Sequence, residues 1–194
     1  MFRKILKWTA LVLLVLVCGV AVATMSRQHL TYEAPYPDVQ ASADLAVIER
    51  GKHIVMVEKG CVQCHSPVQN IDSLLKKGEE PSLAGNKKVE TPFGTIFTTN
   101  LTPDPTTGIG KMTDAEIARV LRYGVKPNGE AVLPFMQGQN MTDEEMVAVI
   151  SYLRSIKPIE NKVPDHEFTF LGKFARAFVL KPAAPEPTGS LVKK

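Results

Sequence analysis

Residues 61–65 read CVQCH, two thiols separated by two residues with an imidazole directly behind the second. This spacing, closed by a histidine, is the attachment signature for c-type haem. The reason is geometric. Two thiols that add across the vinyl groups of one porphyrin edge must sit at a short, fixed separation, and the next turn then swings the imidazole beneath the ring. Cys61 and Cys64 are therefore the candidate covalent tethers for haem c, and His65 is the candidate proximal ligand to its iron. A thioredoxin-like C-x-x-C is expected after a strand in a βαβ setting, whereas the residues ahead of CVQCH carry a helical pattern. A structural zinc site needs four ligands. Beyond the motif only His29, His53 and His166 remain, without a second cysteine pair.

The sixth iron position is the next question, because histidine paired with methionine is the electron-transfer arrangement, the thioether stabilising ferrous iron. Met1 and Met25 belong to the N-terminal apolar segment, and Met56 lies on the same short element as the proximal side. Met112, Met141 and Met146 flank helix starts, where a packing role suffices. Met136 is left, in VLPFMQGQ (132–139), an irregular loop that Pro134 stiffens by fixing its own φ and biasing Leu133 toward extended geometry. Met136 is the candidate sixth ligand and Met141 the alternative. His53 reads as a surface or packing residue, and His29 and His166 fall in segments with no assigned role.

These residues need elements to hold them. A helix is expected from about Ser42 to Lys59, with Ile48, Gly51 and Val55 at spacings of three and four. Gly51 is costly inside a helix, so its expected use is close approach by another helix. Residues 66–111 are rich in proline and glycine and read as a long irregular stretch, with TPFGTIFTT (91–99) a short strand or hairpin within it. Two later helices carry capping boxes, Thr113 with Glu116 and Thr142 with Glu145, stapled by Met112 with Ile117 and Met141 with Met146. The first is expected to stop at Gly124 and the second before Pro158. Residues 167–181, EFTFLGKFARAFVLK, form a third amphipathic helix by pattern, and PAAPEPTGSLVKK reads as a disordered tail.

The N-terminus reads as an export segment. Arg3, Lys4 and Lys7 precede residues 8–25, which hold no charge and would span roughly 27 Å as a helix, close to a bilayer core of about 30 Å. Cations in front place the N-terminus in the cytoplasm and the following domain outside. A retained anchor and a signal cleaved near Ala21-Val22-Ala23 both fit. Residues 31–41, TYEAPYPDVQA, read as an extended tether. The chain has 23 Lys+Arg and 20 Asp+Glu, the excess of cations lying wholly ahead of residue 8. That balance argues against a phosphate-tracking nucleic-acid binder.

RGKHIV (50–55), CVQCH (61–65), TPFGTIFTTNLTPDPTTGIG (91–110), LPFM (133–136) and TDEEMVAVISYLRSIKP (142–158) together resemble class I c-type cytochromes. Within that group the chain is similar to modules of the cytochrome c subunits of membrane-bound alcohol and aldehyde dehydrogenases, although it carries one CVQCH where those subunits carry several. The resemblance implies an all-α class I cytochrome c fold with a long irregular loop at the haem edge. It also implies crossed N- and C-terminal helices, here Gly51 against the face of Tyr152 and Leu153. It makes the methionine after proline in the distal loop, Met136, the sixth ligand. The organisation then reads as a signal anchor or signal peptide (1–26), a linker (27–42), a cytochrome c domain (43–160), a C-terminal amphipathic helix (161–181) and a tail (182–194).

The function expected from this reading is a single-haem electron carrier, not an enzyme. It would lie at the outer face of the cytoplasmic membrane and exchange electrons with a redox partner protein such as a membrane dehydrogenase or oxidase. The alternatives are a haem sensor or enzyme with a displaceable sixth ligand, and an anchored subunit of a respiratory or dehydrogenase complex. Phe168, Phe170, Phe174 and Phe178 beside Lys173 and Arg176 would serve the last by docking a partner or the membrane surface; packing on their own domain is the plainer reading.

Overall fold

The computed structural model describes residues 1–136 and 140–182. Its longest element is α1 (Phe2–Arg27), which carries no charge between Lys7 and Arg27. An 18-residue window of mean hydropathy 2.5 within it is long and apolar enough to cross a membrane, and none of that window is buried. The expected tether then follows. It is extended, as its prolines require, and it is pinned to the domain along its length. Tyr32 N–H donates to the Gly129 carbonyl at 2.8 Å, Ala41 N–H to Asp114 Oδ2 at 2.8 Å and Ser42 N–H to Ser151 Oγ at 2.7 Å. Arg119 is buried beneath it, donating to the carbonyls of Tyr32, Ala34 and Lys126 with its guanidinium 4.8 Å from the Tyr36 ring centre.

The single helix expected over 42–59 is divided. Helix α2 (Leu45–His53), capped by the Asp44 carboxylate on Ala46 N–H, runs into a π-helical turn at Ile54–Glu58 closed by Lys59 N–H on the Ile54 carbonyl. The wider turn has a use. It brings three consecutive side chains, Ile54, Val55 and Met56, into the core, more than the apolar stripe of a straight α-helix accommodates in a row. Helices α5 (Asp114–Tyr123) and α6 (Asp143–Ser155) start at the expected residues, and both capping boxes are formed. Ile117, Met141 and Met146 are buried as staples should be, and Met112 is half-buried against the same core. Helix α2 crosses α6 at Gly51, where a Cβ would run into the Ala148 carbonyl and come within 2.9 Å of Tyr152 Cβ.

The architecture is not purely helical, which corrects the all-α expectation. Strands β1 (Lys88–Thr91) and β2 (Gly94–Phe97) form an antiparallel hairpin in the register Val89 with Ile96, and β3 (Glu167–Phe168) adds to β2. Thr91-Pro92-Phe93-Gly94 makes the hairpin turn, and the segment after α6 returns to pair beside it. The stretch expected to be irregular also contains short helix α4 (Ile71–Lys76). Because residues 167–168 belong to the sheet, the last helix, α7 (Phe170–Phe178), begins after them, with Thr169 Oγ1 accepting from Gly172 N–H. The tail from residue 183 onward and the Gln137–Gln139 part of the expected distal loop lie outside the described residues.

Two outcomes follow from this packing. Gly51→Ala should destabilise the haem-loaded protein by about 1–3 kcal/mol in a urea titration, because the crossing leaves no room for a methyl group. His166 is half-buried, and its Nδ1 accepts from Phe97 N–H at 3.2 Å. Burial, then Lys126 and Arg176, holds its pKa below the ordinary value, Asp165 and Glu130 opposing. The unfolded chain therefore binds the proton more readily, and stability should fall as pH drops below about 6.5 toward the lower folded value. Denaturation midpoints against pH should show this slope in the wild type and a flatter one in His166→Gln; equal slopes would remove His166 as its cause.

Candidate haem-binding site

The turn that carries CVQCH is positioned from both ends. The π-helical turn delivers the chain to Gly60, which adopts the left-handed conformation at φ 59°, and α3 (Cys61–His65) starts there. One side of this short helix meets the core: Val62 is fully buried and Cys61 half-buried, while Cys64 is exposed. The partial burial pushes the Cys61 thiol above its ordinary pKa. After α3 the His65 carbonyl accepts from Gly85 N–H at 2.8 Å. Gly85 has φ 69°, and a Cβ on it would strike the backbone of Thr99 and Asn100, so glycine is what lets these strands of chain lie together.

His65 is 4% exposed, and its two nitrogens are treated differently. Nδ1 lies 2.8 Å from the Thr99 carbonyl oxygen, which can only accept, so Nδ1 carries the proton. Nε2 is buried and has no hydrogen-bond partner among the described residues. Its lone pair is therefore held out, in a neutral ring that burial keeps below the ordinary histidine pKa despite the Thr99 bond. An unpartnered buried polar atom is costly, and a metal at Nε2 removes that cost. A ligating histidine whose other nitrogen donates to a carbonyl is the usual arrangement at iron. Among the described residues no group of three or more His, Cys, Asp or Glu is placed to hold an ion. A metal at His65 thus needs most of its ligands from a non-protein group, as porphyrin supplies. The residues present fit a covalent haem.

The Thr99 carbonyl is itself fixed. Asn86 N–H donates to the Thr98 carbonyl at 2.7 Å, Lys87 N–H to Thr98 Oγ1 at 3.0 Å, and Leu101 N–H to the Leu83 carbonyl at 2.9 Å. Asn100 is 3% exposed and uses both ends of its amide: Nδ2 donates to Thr107 Oγ1 and the Ile159 carbonyl, and Oδ1 accepts from Thr102 N–H and Oγ1. The bonds of the Thr98 and Asn100 side chains thus go to the loop and the backbone that packs on it.

The structure brings Cys61, Cys64 and His65 together on α3. It places Met136 on a separate element, a single helical turn at Pro134–Met136 in the α5–α6 connection, where Met136 N–H donates to the Leu133 carbonyl at 2.8 Å and the side chain is half-buried. Met141, the alternative, is packed in the hydrophobic core with Met146 and Met56. His53 faces Glu58 at 3.3 Å on an exposed surface, as its surface reading expects. Two contributors were not recognised from sequence. One is the Thr99 carbonyl, a backbone atom that no residue type announces. The other is Gly85, whose only sequence signal is the Gly85-Asn86 pair.

The cytochrome c family model matches residues 48–157, more than half of the chain. The chain belongs to the cytochrome c family. Its cofactor is covalent haem c with iron. This cytochrome is 33% identical over 129 residues to the cytochrome c subunit of the quinone alcohol dehydrogenase of Gluconacetobacter polyoxogenes, covering 63% of this chain and 25% of that one. It is 33% identical over 129 residues to the gluconate 2-dehydrogenase cytochrome c subunit of Pantoea cypripedii, covering 64% and 27%. A diheme cytochrome c-type protein of Cereibacter sphaeroides is 25% identical over 166 residues, 84% of this chain and 52% of that one. The cytochrome thus spans about a quarter of the length of the dehydrogenase subunits it matches.

Asn100→Ala would leave Thr102 N–H without its acceptor in a buried site and take one of two donors from the Ile159 carbonyl, and should lower stability by about 1–3 kcal/mol. It should also speed hydrogen exchange of the His65 ring N–H in proton NMR spectra, since the neighbouring Thr99 carbonyl loses its brace. Loss of stability with unchanged ring exchange would limit Asn100 to a loop role.

Proposed function

We propose that this cytochrome c is a membrane-attached electron carrier, with Cys61 and Cys64 as the thioether tethers, His65 as the proximal ligand and Met136 as the sixth. The observation that carries the proposal is the buried Nε2 of His65, unpartnered among the described residues and set opposite a donated Nδ1–H. When bound, the haem supplies a one-electron couple at its iron. The protein's own residues do the rest. The two thiols would hold the haem covalently at α3. The Thr99 carbonyl holds the imidazole in the tautomer that presents a lone pair, and hydrogen bonding at the far nitrogen raises the ligand's basicity. The buried surroundings of His65 keep water from that position. Met136 is supported by elimination among the described methionines, since Met56, Met141 and Met146 are all committed to the core. A thioether there raises the potential of the couple.

Attachment is through α1, with Arg3, Lys4 and Lys7 on the cytoplasmic side and the haem domain on the periplasmic side. The redox partner is a membrane dehydrogenase or an oxidase; the dehydrogenase reading is supported by the relatives, which are cytochrome subunits of alcohol and gluconate dehydrogenases.

The test uses the full chain matured with covalent haem. The oxidised wild type should be low-spin with the weak far-red sulfur–iron band. Met136→Ala should abolish that band and lower the potential. A band and a potential both unchanged in Met136→Ala would overturn the assignment of the sixth ligand. Tight carbon monoxide binding by the reduced wild type would instead favour a displaceable sixth site, as in a sensor or enzyme.

A further inference from the structure

Helix α7 is inverted relative to a helix that packs on its own domain. The residues it turns inward are small or paired. Gly172 and Ala177 are buried, Gly172 seats against the Phe93 carbonyl, and Arg176 is ion-paired to Glu130 at 3.1 Å with its guanidinium 4.6 Å from the Phe168 ring centre. The residues it turns outward are large and apolar: Phe170 is 55% exposed, Leu171 51%, Phe178 42% and Val179 68%. Phe93, at the tip of the β1–β2 hairpin beside Gly172, extends this patch at 47% exposed. Leaving such a contiguous surface in water is unfavourable, and surfaces of this kind mark interaction sites.

The neighbour of α7 indicates what covers it. α7 packs against α1. Thr24 of α1 is fully buried, Arg27 lies 5.7 Å from the Phe178 ring centre, and Tyr32 Oη donates to the Leu180 carbonyl at 2.8 Å. Thr24 and Arg27 belong to the turn where the uncharged run of α1 ends. In a membrane-spanning helix that turn lies at the boundary between hydrocarbon and headgroups. Whatever is fastened to it lies at the same depth. Polar contacts hold α7 there from the other side, because Glu130 is ion-paired to Arg176 of α7 and lies within 3.3 Å of His29 Nδ1 just beyond α1. Arg27, at that turn, is exposed, and a cation at that depth is attracted by anionic headgroups.

We infer that α7 is an interfacial helix, whose outward face of Phe170, Leu171, Phe178 and Val179 rests in the outer leaflet of the bilayer that α1 crosses. The domain is thereby held against the membrane at two points. This rests on the reading of α1 as a retained membrane span.

The experiment reconstitutes the full haem-loaded chain, with Cys18→Ser, into phosphatidylcholine–phosphatidylglycerol vesicles. Cys61 and Cys64 are blocked by the haem. A bimane fluorophore is placed in turn on Leu171→Cys, Val179→Cys and, as a control on α2, Leu45→Cys, each at an exposed position. An unchanged haem spectrum verifies the fold of each. Lipids brominated near the headgroup should quench the two α7 probes at least about twofold more than the control, with iodide showing the reverse order. Quenching by iodide at all three positions, with none by brominated lipid, would overturn the inference and leave the face to a protein partner. Alkaline carbonate extraction separates the two ways of failing. Protein released from the vesicles fails at the α1 span, and protein retained with iodide-quenched probes fails at α7 alone.

Discussion

A histidine buried with one ring nitrogen satisfied and the other left bare is the constraint around which the rest of this chain is arranged. Leaving Nε2 of His65 without a partner is worthwhile only if its lone pair is kept aimed and water is kept away, and both requirements fall on backbone outside α3. The Thr99 carbonyl aims the ring. That carbonyl is set by the pairing of residues 98–101 with 83–87, and the pairing is braced by Asn100, which reaches across to Ile159 beyond α6. Asn161 completes the brace by donating to the Ala84 carbonyl at 2.9 Å. The proline-rich stretch that looks irregular is thus a wall, paired by backbone bonds and braced by side-chain amides and hydroxyls.

The other face of the site depends on the contact between α2 and α6. Gly51 allows the two backbones to meet, and the π-helical turn that follows commits Ile54, Val55 and Met56 to the core without a break in the chain. The position of Gly60, and therefore of Cys61, is inherited from that crossing. A change at Gly51 would be transmitted to the thiols through a short run of buried residues with little slack, since close-packed interiors pass displacement on.

Much of this was readable in the sequence, and the pattern of what was not has physical causes. CVQCH, the two capping boxes and their staples are local signals, complete within a few residues, and the structure forms each where the spacing puts it. Gly51 was readable as a close approach because glycine inside a helix otherwise has a cost without a benefit. The π-helical turn was not, since its apolar pattern is that of an α-helix and only the burial of three successive residues distinguishes it. The third strand and the late start of α7 depend on residues 167–168 meeting residues 94–95, a pairing about seventy positions long in sequence that no local pattern records. The role of Thr99 was invisible for a different reason: its carbonyl does the work, and every residue has one. Met136 was separable from the other methionines by its loop, and the burial of Met141 in the core supports that separation from the opposite direction.

The linker has consequences for how electrons would leave. A flexible chain of Pro-poor composition would let the haem domain wander within reach of many partners at a modest effective concentration. Residues 31–42 instead run as a strap, with Arg119 beneath it donating to two strap carbonyls, Tyr32 and Ala34, and with Asp114 and Ser151 receiving its last N–H groups. Arg119 is 5% exposed, so the strap cannot lift without stripping a buried guanidinium of its acceptors. With α1 read as a span, this mounting would restrict the orientation of the domain over the bilayer. A loose strap would leave the domain free to rotate about its tether, and the bonds of Arg119 oppose that rotation.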